Sequence, residues 1–352
     1  MTWKETLEKI QAGEETARAQ ALRRWDSLAK PLGSLGILEE AIVRIAALTG
    51  CADVRIPVRR LLVFCADNGV VAQGVTQTDD SVTAAVAHAL AAGESTVCAM
   101  ARIADCAVVP IDVGMRGFAG ASGILDRRIR SGTADITAGP AMTRAECLRA
   151  IQAGADLAAE YKRAGVSILA AGEMGIGNTT TSSAIASVLL NRPPVQVTGR
   201  GAGLSDAGLS RKAAAIETAI RVNRPDADDP VDVLHKVGGL DLAALCGLYL
   251  GCAQHRVPVL LDGFISAAAA LCAVRICPAA RCAMLASHVS AEPAGAIVLG
   301  ALGLQPLITA GMRLGEGSGA VAALPLLDMA LAVYHSSQTF GHLGIAPYVP
   351  QK

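Results

Sequence analysis

The sequence predicts an α/β fold built on a parallel sheet, and three observations carry that reading. Five apolar runs, at 61–66, 107–111, 166–171, 258–261 and 282–286, are continuous rather than alternating, as strands buried on both faces are. Alanine-rich stretches with helical spacing, at 82–102, 144–164, 180–190 and 209–221, lie between them, so strand, loop and helix alternate. Each strand run also ends in a polar or glycine turn: Asp67-Asn68-Gly69, Asp112-Val113-Gly114, Gly172-Glu173, Asp262-Gly263 and Ser287-His288. Open α/β sheets bind ligands beyond the carboxyl ends of their strands, so five such ends on one edge predict one crevice.

The remaining elements follow from composition. The chain has 352 residues and is 52% hydrophobic, enough for a large core in one big domain or a main domain plus a smaller one. Aromatics are only 3%, so that core must be mostly Ala, Val, Leu and Ile. Residues 1–55 and 324–352 read as helices, expected to pack together as a small helical cap domain on the α/β domain of 56–323. The greasiest stretch, 257–274, carries Asp262 and Gly263 in its middle and reads as a buried strand followed by a helix, not as a membrane span. No internal repeat or low-complexity linker interrupts the chain.

Charge and cysteines narrow the function classes. Net charge is zero with no basic stripe, so neither nucleic acid nor an anionic membrane is an expected partner. The ten cysteines are scattered, without CxxC and without zinc-ligand spacing, and the polar start Met1-Thr2-Trp3-Lys4-Glu5-Thr6 has no apolar signal core. A reduced cytoplasmic protein is the expectation.

Four segments carry candidate chemistry. In Glu173-Met174-Gly175-Ile176-Gly177-Asn178-Thr179-Thr180, a carboxylate precedes glycines that open a helix, and Asn178, Thr179 and Thr180 add donors that suit a phosphate. The same pattern also fits a plain strand-to-helix turn. It is not a P-loop, because no Gly-Lys-Ser/Thr follows, and it lacks the third glycine of the dinucleotide fingerprint. Gly199-Arg200-Gly201-Ala202-Gly203 precedes a helix containing Lys212, which could reach a phosphate or be an ordinary solvated lysine. Within Ser287-His288-Val289-Ser290-Ala291-Glu292, no nucleophile elbow accompanies His288, which reads as structural, whereas Ser290 is a candidate ligand contact. Glu316 lies in Gly315-Glu316-Gly317-Ser318-Gly319, positioned by backbone, as a general base or as a surface loop residue.

Together these segments resemble the family of nicotinate-nucleotide–dimethylbenzimidazole phosphoribosyltransferases, enzymes of cobalamin lower-ligand assembly. The resemblance rests on Lys30-Pro31-Leu32-Gly33-Ser34-Leu35-Gly36, Cys65-Ala66-Asp67-Asn68-Gly69-Val70, Asp112-Val113-Gly114, residues 173–180, Asp262-Gly263-Phe264, residues 287–292 and residues 313–320, in family order across nearly the whole chain. It implies a six-stranded parallel Rossmann-like core, a smaller helical domain and a homodimer. It implies transfer of phosphoribose from nicotinate mononucleotide to a benzimidazole nitrogen, giving α-ribazole 5′-phosphate and nicotinate with inversion at the anomeric carbon. By the same resemblance Glu316 is the general base and Glu173 lies close to the reacting centre. Gly175, Gly177, Asn178, Thr179, Gly201, Lys212, Asp262 and Ser290 are expected to contact the nucleotide. The leaving nicotinate is a pyridinium and needs no protonation, so no metal, cofactor or general acid is called for.

The sequence also departs from the family. Many members have Asp-His-Gly where Asp67-Asn68-Gly69 stands. Some have a Ser-Pro or Tyr-Pro pair near Thr78-Asp79-Asp80, and a glutamine in place of Val86. Thr78, Val86, Met174 and Leu314 are the residues expected to line the base pocket, and the departures leave benzimidazole, purine and phenolic acceptors open. A non-catalytic nucleotide-binding subunit of a heteromer is a further alternative. An NAD dehydrogenase would need G-x-G-x-x-G after the first strand, which is missing.

Overall fold

Strand β1 (Arg59–Ala66) contributes Leu62, Phe64 and Ala66 to one hydrophobic cluster and Leu61, Val63 and Cys65 to another. Side chains that alternate along a strand, apolar at every position, force helices to cover both faces of the sheet. The computed structural model describes residues 7, 8 and 10–349. Within them one sheet holds six strands in the order β3-β2-β1-β4-β5-β6, with β2 Ala107–Gly114, β3 Leu125–Asp126, β4 Ile168–Met174, β5 Val259–Leu261 and β6 Met284–Ala286. Every pairing is parallel. The order reverses between β1 and β4, where a doubly wound sheet opens a crevice at its carboxyl edge.

The helices are α1 (Glu15–Ser27), α2 (Ile37–Thr49), α3 (Ser81–Ala92), α4 (Thr96–Ile103), α5 (Arg144–Arg163), α6 (Asn178–Leu189), α7 (Asp206–Asn223), α8 (Pro230–Val237), α9 (Leu240–Gln254), α10 (Phe264–Ile276), α11 (Ala294–Leu302) and α12 (Ser318–Tyr334), with shorter helical turns between some of them. One face of the sheet carries α5, α6, α8, α9 and α10, and the other carries α1 to α4 and α12. Trp25 of α1 and Tyr334 of α12 meet edge-on with ring centroids 5.0 Å apart. Helix α12 runs unbroken past residue 324, and its Ala320, Val321, Leu324 and Leu327 share the cluster of Leu61 and Val63.

Several elements differ from the sequence expectation. The helix expected over 82–102 is two helices. Gly93, at φ +75°, ends α3 in the left-handed region, and the Ser95 hydroxyl accepts from the Cys98 amide to cap α4. By length and composition alone the segment Ser81–Ile103 could cross a membrane; in the fold it turns at Gly93. Strand β4 reaches Met174 rather than stopping at Ala171, so Glu173 is a strand residue, paired in register with Phe64. The cap of α6 is Gly177, at φ +93°, and Asn178 is the first helical residue. The 257–274 stretch is a strand and a helix as expected.

Helix α9 carries no amphipathic signal because all its residues from Leu240 to Ala253 are buried. It crosses α5 at backbone contact: a Cβ on Gly247 would lie 1.8 Å from the Ile151 carbonyl oxygen. That crossing brings the first turn of α9 beneath the carboxyl ends of β1 and β4.

Candidate active site

Glu173 is delivered by β4 and is 5% exposed. Its Oε2 accepts a short hydrogen bond from Asn178 Nδ2 in the first turn of α6. The same nitrogen donates to Oδ2 of Asp241, fully buried at the start of α9, at 3.0 Å. Burial, then the neighbouring Asp241, Asp262 and Glu316, hold the Glu173 carboxyl well above the ordinary carboxylate range, against the Asn178 hydrogen bond. Burial likewise pushes Asp241 up to about 6. Gly175 lies between these groups: a Cβ there would stand 2.5 Å from the Ala66 carbonyl oxygen and 2.8 Å from Asp241 Oδ2.

The second acidic segment is fastened to the end of β5. Asp262 accepts from the amides of Gly317 at 3.1 Å, Gly319 at 2.7 Å and Ala320 at 3.3 Å, closing the open N-terminus of α12. Its carboxyl is raised by burial, against the pull of His288 and those three amides. His288 Nδ1 lies 3.2 Å from Ser287 Oγ and 3.9 Å from Asp262 Oδ1. His288 is thus packed as a bracing group against Asp262.

Glu316 sits in the left-handed region at φ +60°, between Gly315 at +86° and Gly317 at +83°. A non-glycine residue held there costs roughly 1–3 kcal/mol, which the Asp262 clamp offsets. Burial raises the Glu316 carboxyl, while the Val97 amide and Ser95 hydroxyl at the N-terminus of α4 favour its ionised form. Its Oε2 is buried without a hydrogen-bond partner among the described residues. A carboxylate of raised basicity with one free oxygen is equipped to take a proton.

The opposite end of the site is basic. Lys212 on α7 is fully buried, so the solvated-lysine alternative is excluded. Its Nζ donates to Thr179 Oγ1 at 2.8 Å and to the Gly199 carbonyl oxygen at 3.1 Å. Burial draws its pKa down to about 8, against the attraction of Glu292. Glu292 Oε1 also accepts from the Gly201 amide at 3.0 Å, and Ser290 Oγ accepts from the Glu292 amide at 3.3 Å.

One cavity of about 260 Å³ opens at the carboxyl edge of the sheet, between the acidic and the basic ends. Gly175, Gly177, Asn178, Thr179, Gly201, Lys212, Asp262 and Ser290 all reach it, together with Glu173 and Glu316. Thr78, Val86, Met174 and Leu314 form part of its wall. Thr180 is the exception: it does not line the cavity, is fully buried, and its hydroxyl has no hydrogen-bond partner among the described residues. Successive helical residues diverge by about 100°, so with Asn178 and Thr179 on the cavity Thr180 is carried into the core. Asp241, Ser95, the Val97 amide and Glu292 escaped the sequence reading. Ser95 had the signal of a helix cap, and Glu292 stood inside a motif already singled out.

The phosphoribosyltransferase family model matches residues 10–345. A relative from Ruminiclostridium cellulolyticum, named nicotinate-nucleotide–dimethylbenzimidazole phosphoribosyltransferase, is 44% identical over 350 residues and 99% of each chain. One of the same name from Acetivibrio thermocellus is 45% identical over 329 residues, 94% of each chain. The crystal structure of CobT from Thermus thermophilus superposes with a TM-score of 0.89 at 40% identity, covering 95% of this chain and 100% of that one. The chain belongs to the nicotinate-nucleotide–dimethylbenzimidazole phosphoribosyltransferase family.

Asn68 supports the site from outside the cavity. Asn68 is fully buried, its Nδ2 donates to the Ile176 carbonyl oxygen at 3.4 Å, and its Oδ1 has no partner among the described residues. It braces the turn between β4 and α6 from below.

Proposed function

We propose that this chain transfers the 5-phosphoribosyl group of nicotinate mononucleotide to a ring nitrogen of 5,6-dimethylbenzimidazole, releasing nicotinate and forming α-ribazole 5′-phosphate. The observation that carries the reading is Glu316, a partly buried carboxyl of raised basicity, sharing one cavity with the buried Lys212. In this reading the phosphate lies at Lys212, Thr179, Gly201 and Ser290, near the N-terminus of α6. The bond from C1′ to the nicotinate nitrogen breaks and its electron pair neutralises the pyridinium. A bond forms from C1′ to the ring nitrogen of the azole that carries the free electron pair, and the N–H proton of the azole's other ring nitrogen passes to Glu316. Positive charge that develops on the ribose is met by Glu173, for which the arriving cation favours the ionised form. Val86, Met174, Leu314 and Thr78 contact the flat acceptor.

A non-catalytic subunit would have no use for Glu316 placed and activated as it is. A cytoplasmic location, a homodimer and a small helical unit of residues 1–55 and 324–352, of which 1–6, 9 and 350–352 lie outside the described residues, belong to the same reading.

The test is mass spectrometry of purified protein with nicotinate mononucleotide and a mixture of dimethylbenzimidazole, adenine and phenol, beside Glu316→Gln. Ribosylated benzimidazole and free nicotinate from the wild type, strongly reduced in the variant, are expected. A ribosylated purine or phenol in its place moves the acceptor class. No product from a folded protein overturns the proposal.

A further inference from the structure

Asn178 contributes a single amide group to two carboxyls. Both contacts go to its Nδ2, so Glu173 Oε2 and Asp241 Oδ2 are both acceptors, and one NH₂ ties β4 to the start of α9. Asp241 is fixed on every side. Its Oδ1 accepts from the Leu242 amide at 3.0 Å, and a Cβ on Gly175 or Gly239 would come within 2.8 or 2.4 Å of its oxygens. It is not among the residues lining the cavity.

We propose that Asp241 is a positioning residue for the transfer reaction: acting through the shared Asn178 amide, it holds Glu173 at the reacting centre and sets how much negative charge faces the ribose. The proposal rests on the reading of Glu173 as the group that meets ribose charge. A residue present only to anchor Asn178 need not be ionisable, since a serine or asparagine oxygen would also accept. A buried carboxyl in that place adds a charge. Two buried carboxyls on one amide resist ionising together, so the charge on one depends on the proton held by the other.

The groups around the pair do not relieve that repulsion. Asp67, at the end of β1, acts on Asp241; Asp262 and Glu316 act on Glu173; both carboxyls act on the Cys65 thiol of β1. His288 acts on Asp262. Among the described residues the donor shared by the pair is the Asn178 amide, which cannot neutralise either charge. Asp241→Asn removes the charge and keeps one of the two acceptor oxygens, and therefore lets Glu173 ionise at lower pH.

The experiment is the pH profile of kcat with nicotinate mononucleotide and dimethylbenzimidazole for wild type, Asp241→Asn, Glu173→Gln and the double variant. In Asp241→Asn the acid limb is expected to move down by about one pH unit, with the KM for the nucleotide little changed. In the Glu173→Gln background the same substitution should move nothing, because the group through which it acts is gone. An unmoved limb in Asp241→Asn, with Glu173→Gln impaired, overturns the positioning role and leaves the reading of Glu173 standing. A wild-type profile in Glu173→Gln overturns both. Should Asp241→Asn fail to fold by thermal melt, carbon-13 carboxyl titration of the wild type decides. A two-step curve for the Glu173 carboxyl, assigned by its loss in Glu173→Gln, supports the proposal, and a single independent step overturns it.

Discussion

The two glycine-rich acidic segments look alike in sequence and are built on opposite principles. Glu173 is held by side chains, through Asn178 and Asp241, in a pocket of carboxyls that resists its ionisation. Glu316 is held by backbone, in a run of three left-handed residues clamped by Asp262, with amide and hydroxyl donors at the end of α4 favouring its anion. A carboxyl crowded by acids suits a group that should charge only when a cation arrives. A carboxyl beside donors, with one oxygen free, suits a group that collects a proton. The difference teaches that the partners of a carboxyl, more than the glycines beside it, decide what it can do.

The comparison breaks most visibly at Glu316. Glu316→Gln keeps the loop and its backbone clamp, so steady-state kinetics should find kcat down roughly 10²–10⁴-fold with the nucleotide KM little changed. Lys212→Met comes next, at the end of the cavity that neither carboxyl controls. Losing a charged donor should raise the nucleotide KM about tenfold to a hundredfold. In the wild type the same KM should climb as pH rises through about 8, where the buried ammonium loses its proton.

Gly315→Ala probes the contact between the two segments. Its φ of +86° disfavours a side chain, and the new Cβ would lie 2.7 Å from Glu173 Oε1. Pushing the carboxyls apart should lower kcat about tenfold, with binding of nicotinate mononucleotide, followed by calorimetry, largely kept. The smallest effect is expected from Ser95→Ala. It removes the cap of α4, worth about 1 kcal/mol in thermal or denaturant unfolding. It also removes one donor to the Glu316 anion, so the carboxyl pKa rises and the acid limb of kcat moves to higher pH.

Much of this site was legible because strand ends in a parallel sheet share one edge. Five apolar runs were enough to predict one crevice at the strand ends; Glu173, Asp262 and His288 do line it, whereas the turns at Asp67 and Asp112 do not. What could not be read falls into two physical classes. Elements without a pattern were missed: β3 is two residues long, and α9 is buried all round, so neither shows a period. Residues whose role depends on partners distant in sequence were missed or misjudged. Lys212 and a solvated lysine look identical until Gly199 and Thr179 close over it. Asp241 follows Gly238-Gly239-Leu240, far from any strand end, and only the crossing of α9 over α5 carries it under Glu173. The break at Gly93-Glu94-Ser95 was legible as a glycine stop followed by a serine start, but the alanine-rich pattern on either side concealed it.

The cavity separates its buried ammonium from its buried carboxyls, and that polarity has a thermodynamic consequence. A nucleotide phosphate arriving at Lys212 favours the protonated amine, so above about pH 8 that end draws a proton from solution. A pyridinium arriving near Glu173 favours the anion, so that end gives a proton up. Association of one zwitterionic ligand would then exchange hydrogen ions with the medium in opposite directions at two points of the same crevice. The heat of binding would depend on the buffer on either side of a pH at which the two exchanges cancel.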